Sequence, residues 1–85
     1  ISFIVKKDHS FSEISKTIHN VDTEHIKSCY LIDEFTGKSI RDGYRSLTFR
    51  LDIGAKDRTL TDEFINALIS RAIEKLKNLF EIEMR

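Results

Sequence analysis

The sequence contains no tryptophan, no proline and a single cysteine among its 85 residues. Because Cys29 has no second cysteine to pair with, the chain forms no internal disulfide, and it carries no cysteine spacing of a zinc site. A reducing cytosol is therefore the compartment that the sequence favours. The apolar runs are far shorter than the ~20 residues that span a bilayer, which excludes a transmembrane helix.

An excess of charge of one sign is also missing, since 14 Lys and Arg balance 14 Asp and Glu. A nucleic-acid-binding domain usually shows a basic excess, so only the distribution of charge can argue for such a partner. There is no Gly-rich phosphate loop, and Cys29 has no nearby base to make it a nucleophile. We expect the three histidines His9, His19 and His25 to be solvated surface residues. We therefore predict no catalytic residue, no metal site and no cofactor in this chain.

The length and the 40% of apolar residues indicate one small folded domain rather than disorder. A domain of this size buries roughly two-thirds of its unfolded surface, enough for one core but not for a deep enzyme cleft. The chain opens at Ile1 inside a strand-like run, with no initiating Met. We expect residues 1–85 to be a single domain cut from a longer protein.

Hydrophobic periodicity predicts the element order β-α-β-β-α-β. Strands are expected at residues 1–6, 26–35, 45–53 and, as a short edge strand, 81–85. A short helix is capped by Ser10 or Ser12 and ends at His19, and a long helix is capped by Thr61. This order is typical of an α+β, ferredoxin-like split βαββαβ domain, in which two helices cover one face of a four-stranded antiparallel sheet.

Each predicted helix has a single apolar stripe, which in the long helix consists of Ile65, Leu68, Ile69, Ala72, Ile73, Leu76 and Leu79. Both helices must therefore cover the same face of the sheet. The other face is open to solvent or to a partner, and function has to be sought there because the fold alone does not decide it.

The segment from residue 31 to 51 combines aromatic and basic side chains around the second and third strands. Asp33 and Phe35 are two residues apart and share a face if the strand persists. Asp42 is the only acidic residue between Gly37 and Arg50, a stretch with four cations: Lys38, Arg41, Arg45 and Arg50. Such a surface suits single-stranded nucleic acid, whose bases stack on rings and whose backbone lies over cations. The residues alone leave open a charged hairpin in which Phe35 caps the core.

Four stretches together resemble one known family: ISFIV, LIDEFTGKSIRDGYRSLTFRL, RTLTDEFINALI and the closing EMR. The family is the ferredoxin-fold anticodon-binding domain at the C-terminus of bacterial phenylalanyl-tRNA synthetase beta subunits. The resemblance covers essentially the whole chain in the right order. It implies a partner, the anticodon stem-loop of phenylalanine tRNA, and a cytoplasmic parent enzyme that charges this tRNA with ATP and Mg. Aminoacylation would occur in the alpha subunit, so this chain alone would not be an enzyme.

The same resemblance implies roles for three side chains. Asp33 would contact the first anticodon base, Phe35 would stack on it where Tyr is common, and Ser46 would add a polar contact. Guanine presents two adjacent N–H donors that match the two oxygens of a carboxylate, whereas adenine presents one donor beside an acceptor. Lys38, Arg41, Arg45 and Arg50 are the candidates for phosphate contacts. An ordinary turn carboxylate, paired with Arg45 or Lys38, is the alternative for Asp33.

One conflict remains in the second strand, because Leu31 and Asp33 have the same parity. Leu31 suits the core and Asp33 suits the ligand, so either the strand is bulged or twisted near Ile32 or Leu31 lies on the open face. Gly37 and Gly43 are expected to serve turns with positive φ.

A function of another class also fits the predicted topology. Domains with this order of elements can bind a small regulatory ligand and dimerise through their sheet edges. That alternative predicts a homodimer whose stability rises with a free amino acid, whereas an RNA-binding module predicts an isolated monomer with salt-sensitive affinity for RNA.

Overall fold

The computed structural model describes residues 1–84 and leaves Arg85 outside the described residues. The elements are β1 (Ser2–Lys6), α1 (Phe11–His19), β2 (Ile26–Phe35), β3 (Tyr44–Ile53), α2 (Asp62–Phe80) and β4 (Glu83–Met84). The predicted order βαββαβ is confirmed. The last strand begins at Glu83 and not at the predicted residue 81, and the predicted end at Arg85 lies outside the described residues.

Both helices begin at a hydroxyl cap. Ser10, rather than Ser12, caps α1, because its Oγ accepts a hydrogen bond from the Glu13 N–H at 3.1 Å. Thr61 caps α2 in the same way and accepts from the Phe64 N–H at 3.1 Å. Helix α2 ends at Phe80, and its C-cap Glu81 takes a left-handed conformation with φ of 54°.

The four strands form one antiparallel sheet in the order β2-β3-β1-β4. The first and third strands of the chain are therefore central, and β2 and β4 are the edges. The predicted α+β, ferredoxin-like fold class is confirmed.

The core lies between one face of the sheet and the two helices. Phe3 and Phe49 stack in its centre with ring centroids 5.9 Å apart, and Ile14 of α1 is fully buried among the same group. The prediction that both helices cover the same face is confirmed. The stripe of α2 differs at its end, because Phe80 is buried and Leu79 is 54% exposed. At 3.6 residues per turn, Phe80 continues the buried line of every fourth residue.

The expectation that all three histidines are solvated is wrong for His25, which is 8% exposed. Its Nδ1 lies 2.8 Å from Oδ2 of Asp22, and its ring packs edge-on against Phe64. Because Asp22 satisfies the polar edge and Phe64 covers the ring, this histidine can be buried at little cost. Within residues 1–84, no helix is long and apolar enough to cross a membrane.

Candidate nucleic-acid interface

A β-bulge in β2 decides which side chains reach the open face of the sheet. Leu31 pairs with Phe49, and Asp33 pairs with Thr48, so two steps along β2 match a single step along β3. Ile32 is the extra residue. Leu31 therefore packs against the core and Asp33 lies on the open face, which confirms the first of the two alternatives for this strand.

The hydroxyls of the sheet confirm which residues share the open face. Thr48, opposite Asp33, also pairs with Ser2 of β1, and the two hydroxyl oxygens are 2.8 Å apart. Side chains directly opposite each other in antiparallel strands point to the same side. Asp33, Thr48 and Ser2 thus form one polar row across three strands.

A second row crosses all four strands beside the first. Phe35 pairs with Ser46, Ser46 pairs with Ile4, and Ile4 pairs with Glu83. Phe35 is 45% exposed on this face, opposite to the helices. The alternative in which Phe35 caps the core is therefore wrong.

The loop of residues 36–43 contacts both ends of this second row. At one end Gly37 approaches Phe35 so closely that a Cβ there would be 3.1 Å from Cζ of the ring. Further along, Arg41 Nη2 donates to Glu83 Oε1 at 2.9 Å. Ile40 between them is buried, and so is Ser46, at 2% exposed. The Ser46 side chain is therefore not accessible to a partner from outside the chain in this conformation.

The two glycines of this loop have different roles. Gly43 has φ of 85°, which confirms the expected turn with positive φ. The same expectation is wrong for Gly37, since Gly43 is the only glycine with positive φ within residues 1–84. Gly37 instead allows the backbone to approach the Phe35 ring.

Three of the four predicted phosphate contacts, Lys38, Arg41 and Arg50, lie on the helix-free side of the sheet, and Arg45 does not. Arg50 is on the open face with its side chain 64% exposed, and Lys38 and Arg41 line a shallow pocket of about 370 Å³ under the loop. The hydrogen bond to Glu83 raises the pKa of the Arg41 guanidinium above its ordinary value. Lys7, a cation that is not among the predicted phosphate contacts, lines the same pocket, and its N–H donates to the Gly43 carbonyl at 2.9 Å.

Arg45 lies on the other side of the sheet. It pairs with Val5, a core residue, and its guanidinium lies 4.1 Å above the ring centre of Phe11 in α1. Its Nη1 donates to Glu34 Oε2 at 3.2 Å, so Glu34 and not Asp33 is the acid that pairs with Arg45. The side chain is 13% exposed. Its role as a phosphate contact remains a prediction that this geometry does not favour.

Fold and site together define a ferredoxin-like domain whose helix-free face carries an exposed aromatic ring, a carboxylate and cations. A family model described as the ferredoxin-fold anticodon binding domain matches residues 1–85. The chain belongs to this family, as the sequence resemblance predicts.

Curated relatives agree with the family. The chain is 38% identical over 85 residues to the phenylalanine–tRNA ligase beta subunit of Synechococcus sp. (strain JA-2-3B'a(2-13)), a match that covers 100% of the chain and 10% of that protein. It is 32% identical over 84 residues to the beta subunit of the same name from Rickettsia typhi, covering 99% of the chain and 10% of that protein. The chain thus spans about a tenth of the length of these relatives. The comparisons lend no support to the regulatory, ligand-binding alternative.

Proposed function

We propose that this chain binds the anticodon stem-loop of phenylalanine tRNA as a module of a phenylalanine–tRNA ligase beta subunit. The observation that carries the proposal is the bulge at Ile32, which puts Asp33 and Phe35 on the same helix-free face. The family and the names of the relatives support the same partner.

The two side chains divide the recognition of the first anticodon base. Phe35 offers a half-exposed ring on which the base stacks, an interaction worth about 1–3 kcal/mol with little preference among bases. Asp33 lies in the adjacent row and accepts the two Watson–Crick N–H donors of guanine. Adenine offers one donor and places a lone pair against the second oxygen, so it is rejected.

Cations around these residues hold the RNA backbone. Lys38, Arg41 and Lys7 surround the loop pocket near Phe35, and Arg50 lies further along the open face. Phosphate contacts of this kind position the RNA without reading its sequence. Ser46 contributes its polar contact only after the loop of residues 36–43 has moved.

The activity of the parent enzyme is also a proposal, because the chain spans a tenth of its relatives. In this proposal the complete protein is cytoplasmic and works with an alpha subunit that uses ATP and Mg to charge the tRNA. The remaining beta-subunit domains connect this module to that subunit. Our chain supplies recognition of the anticodon and no catalytic group.

A titration with two RNA hairpins tests the function. The hairpins carry the phenylalanine anticodon with guanine or adenine as its first base, and binding is measured for the wild-type chain and for Asp33→Asn. An asparagine side chain has one acceptor and one donor, which match the edge of adenine. We expect the wild type to prefer guanine and Asp33→Asn to lose or reverse that preference, a change of about 1–3 kcal/mol.

The matched control is Asp42→Asn, which removes the same charge from an exposed position in the loop. It should leave the ratio of guanine to adenine affinity unchanged and raise both affinities slightly. A wild-type chain that fails to bind either hairpin at low salt contradicts the proposed function. Binding with no difference between the two hairpins removes Asp33 from base selection.

A further inference from the structure

Tyr30 is an exposed aromatic residue of β2 that the sequence analysis did not use. It pairs directly with Arg50 of β3, so both side chains lie on the open face together with Asp33 and Phe35. Tyr30 is 44% exposed, nearly the same as the 45% of Phe35. The open face therefore presents two half-exposed rings on one edge strand.

Asp52 contacts Arg50, the cation that pairs with Tyr30 across the strands. Ser28 Oγ donates to Asp52 Oδ2 at 2.6 Å, and Asp52 Oδ1 is 3.6 Å from Nε of Arg50. Ser28, Asp52 and Arg50 are all on the open face. Asp52 thus contacts the Nε side of the guanidinium, and the Arg50 side chain as a whole is 64% exposed.

The two rings are at a spacing that one RNA loop can bridge. Their partners on β3, Ser46 and Arg50, are four residues apart, which corresponds to about 13 Å along the strand. One strand of a B-form duplex rises about 3.4 Å per nucleotide, so a stacked strand of a few nucleotides spans a distance of this order. The row of Asp33 and Thr48 lies between the two rings and carries no ring of its own.

We propose that Tyr30 and Arg50 form a second nucleotide subsite, in which Tyr30 stacks on another base of the same single-stranded RNA loop and Arg50 contacts its phosphate. This inference rests on the proposed function and extends it along β2. An aromatic ring beside a cation on an exposed sheet matches the two parts of a nucleotide. Phe35 with the loop cations and Tyr30 with Arg50 repeat that arrangement at the two ends of the face.

The test compares Tyr30→Ala, Tyr30→Phe and Arg50→Gln with the wild-type chain, using the guanine hairpin described above at low and moderate salt. Thermal unfolding of each variant shows that it is folded at the assay temperature. We expect Tyr30→Ala to weaken binding by about 5- to 150-fold, the range of alanine substitutions at stacked bases, and Tyr30→Phe to restore affinity because it keeps the ring. The ratio of guanine to adenine affinity should stay as in the wild type.

The variant Arg50→Gln tests the contribution of the Arg50 charge independently of the Tyr30 ring. It should reduce the slope of log affinity against log salt by about 0.7, the value for one phosphate contact on a single strand. A folded Tyr30→Ala variant with wild-type affinity overturns the subsite while leaving the proposed function intact, provided that the wild type still prefers guanine. A wild-type chain that does not bind the hairpin overturns both.

Discussion

Leu31 and Asp33 are two residues apart in one strand and lie on opposite faces of the sheet. Regular alternation would place them on the same face. The extra residue Ile32, itself 56% exposed, produces the change of face, so the open face carries Tyr30 before the bulge and Asp33 and Phe35 after it. The position of every functional side chain beyond Leu31 in this strand depends on that bulge.

Deletion of Ile32 should leave the β2 residues on both sides of the bulge paired with the same residues of β3. Leu31 would still pair with Phe49 and Asp33 with Thr48, because the deleted residue has no partner on β3. Since Ile32 is mostly exposed, we expect the free energy of unfolding to fall by less than about 2 kcal/mol. Cross-strand proton contacts between Asp33 and Thr48, measured by nuclear magnetic resonance, check the register.

Deletion of Glu34 is the matched comparison, since no bulge follows it. Phe35 would then move opposite Leu47 and face the helices, so the contact between Phe35 and Ser46 should disappear. The variant Glu34→Ala controls for the loss of the ion pair with Arg45. If deletion of Ile32 also abolishes the pair of Asp33 and Thr48, the bulge is not the element that sets this register.

The fold was predictable from the sequence because its signals are local. Alternation in β3 and hydroxyls at the helix starts Ser10 and Thr61 each depend on a few neighbouring residues. The bulge was foreseen only as one of two alternatives. Its placement depends on the register between β2 and β3, which the alternation within β2 alone does not fix.

Burial of polar side chains was the part that the sequence did not predict. His25 and Ser46 are both buried, and each is covered by a segment that is remote in sequence or folded back on the sheet. Arg45 is two residues from Leu47, a core residue, so regular alternation in β3 places both side chains on the helix side. The positive charge of Arg45 instead suggests the open face. A cation that is close in sequence to an aromatic residue can therefore lie on the opposite face of the sheet.

Loss of the charge should lower the free energy of unfolding more at Arg45 than at Arg50. Arg45→Met removes hydrogen bonds to Glu34 and to the His9 carbonyl and should lower the free energy of unfolding by about 1–3 kcal/mol. Arg50→Met changes a side chain that is 64% exposed and should change stability by less than about 0.5 kcal/mol. Urea unfolding of both variants checks this. Equal losses would contradict the placement of Arg45 on the helix side.

Gly43 and Gly54 provide a comparison of backbone conformation alone. An added Cβ meets nothing within 4 Å at either residue, but only Gly43 has φ in the left-handed region, at 85°. Gly43→Ala should therefore destabilise the chain by about 1–2 kcal/mol through backbone strain. Gly54→Ala should be neutral or stabilise it by up to about 1 kcal/mol, because it restricts the unfolded chain. Thermal unfolding that ranks the two variants in the opposite order contradicts the turn at Gly43.

Asp22 should make the stability of the chain depend on pH in the acid range. Burial alone would raise the pKa of this carboxyl, but hydrogen bonds from the His25 ring and from the backbone outweigh it and lower the pKa below the ordinary 3.8. Because the folded-state pKa is below the unfolded one, Asp22 contributes stability that is present above 3.8 and is lost as pH falls through the lowered pKa.

Asp22→Asn isolates this contribution. The variant should be less stable than the wild type by about 1–2 kcal/mol at neutral pH, since the charged acceptor for His25 is gone. The difference should narrow as pH falls below 3.8, because the wild-type carboxylate is then protonated as well. Asp57→Asn, in an exposed turn, is the control and should show no such narrowing. Urea unfolding across the acid range measures the difference in the free energy of unfolding between the wild type and Asp22→Asn. If that difference stays constant with pH, the lost stability comes from side-chain geometry and not from charge.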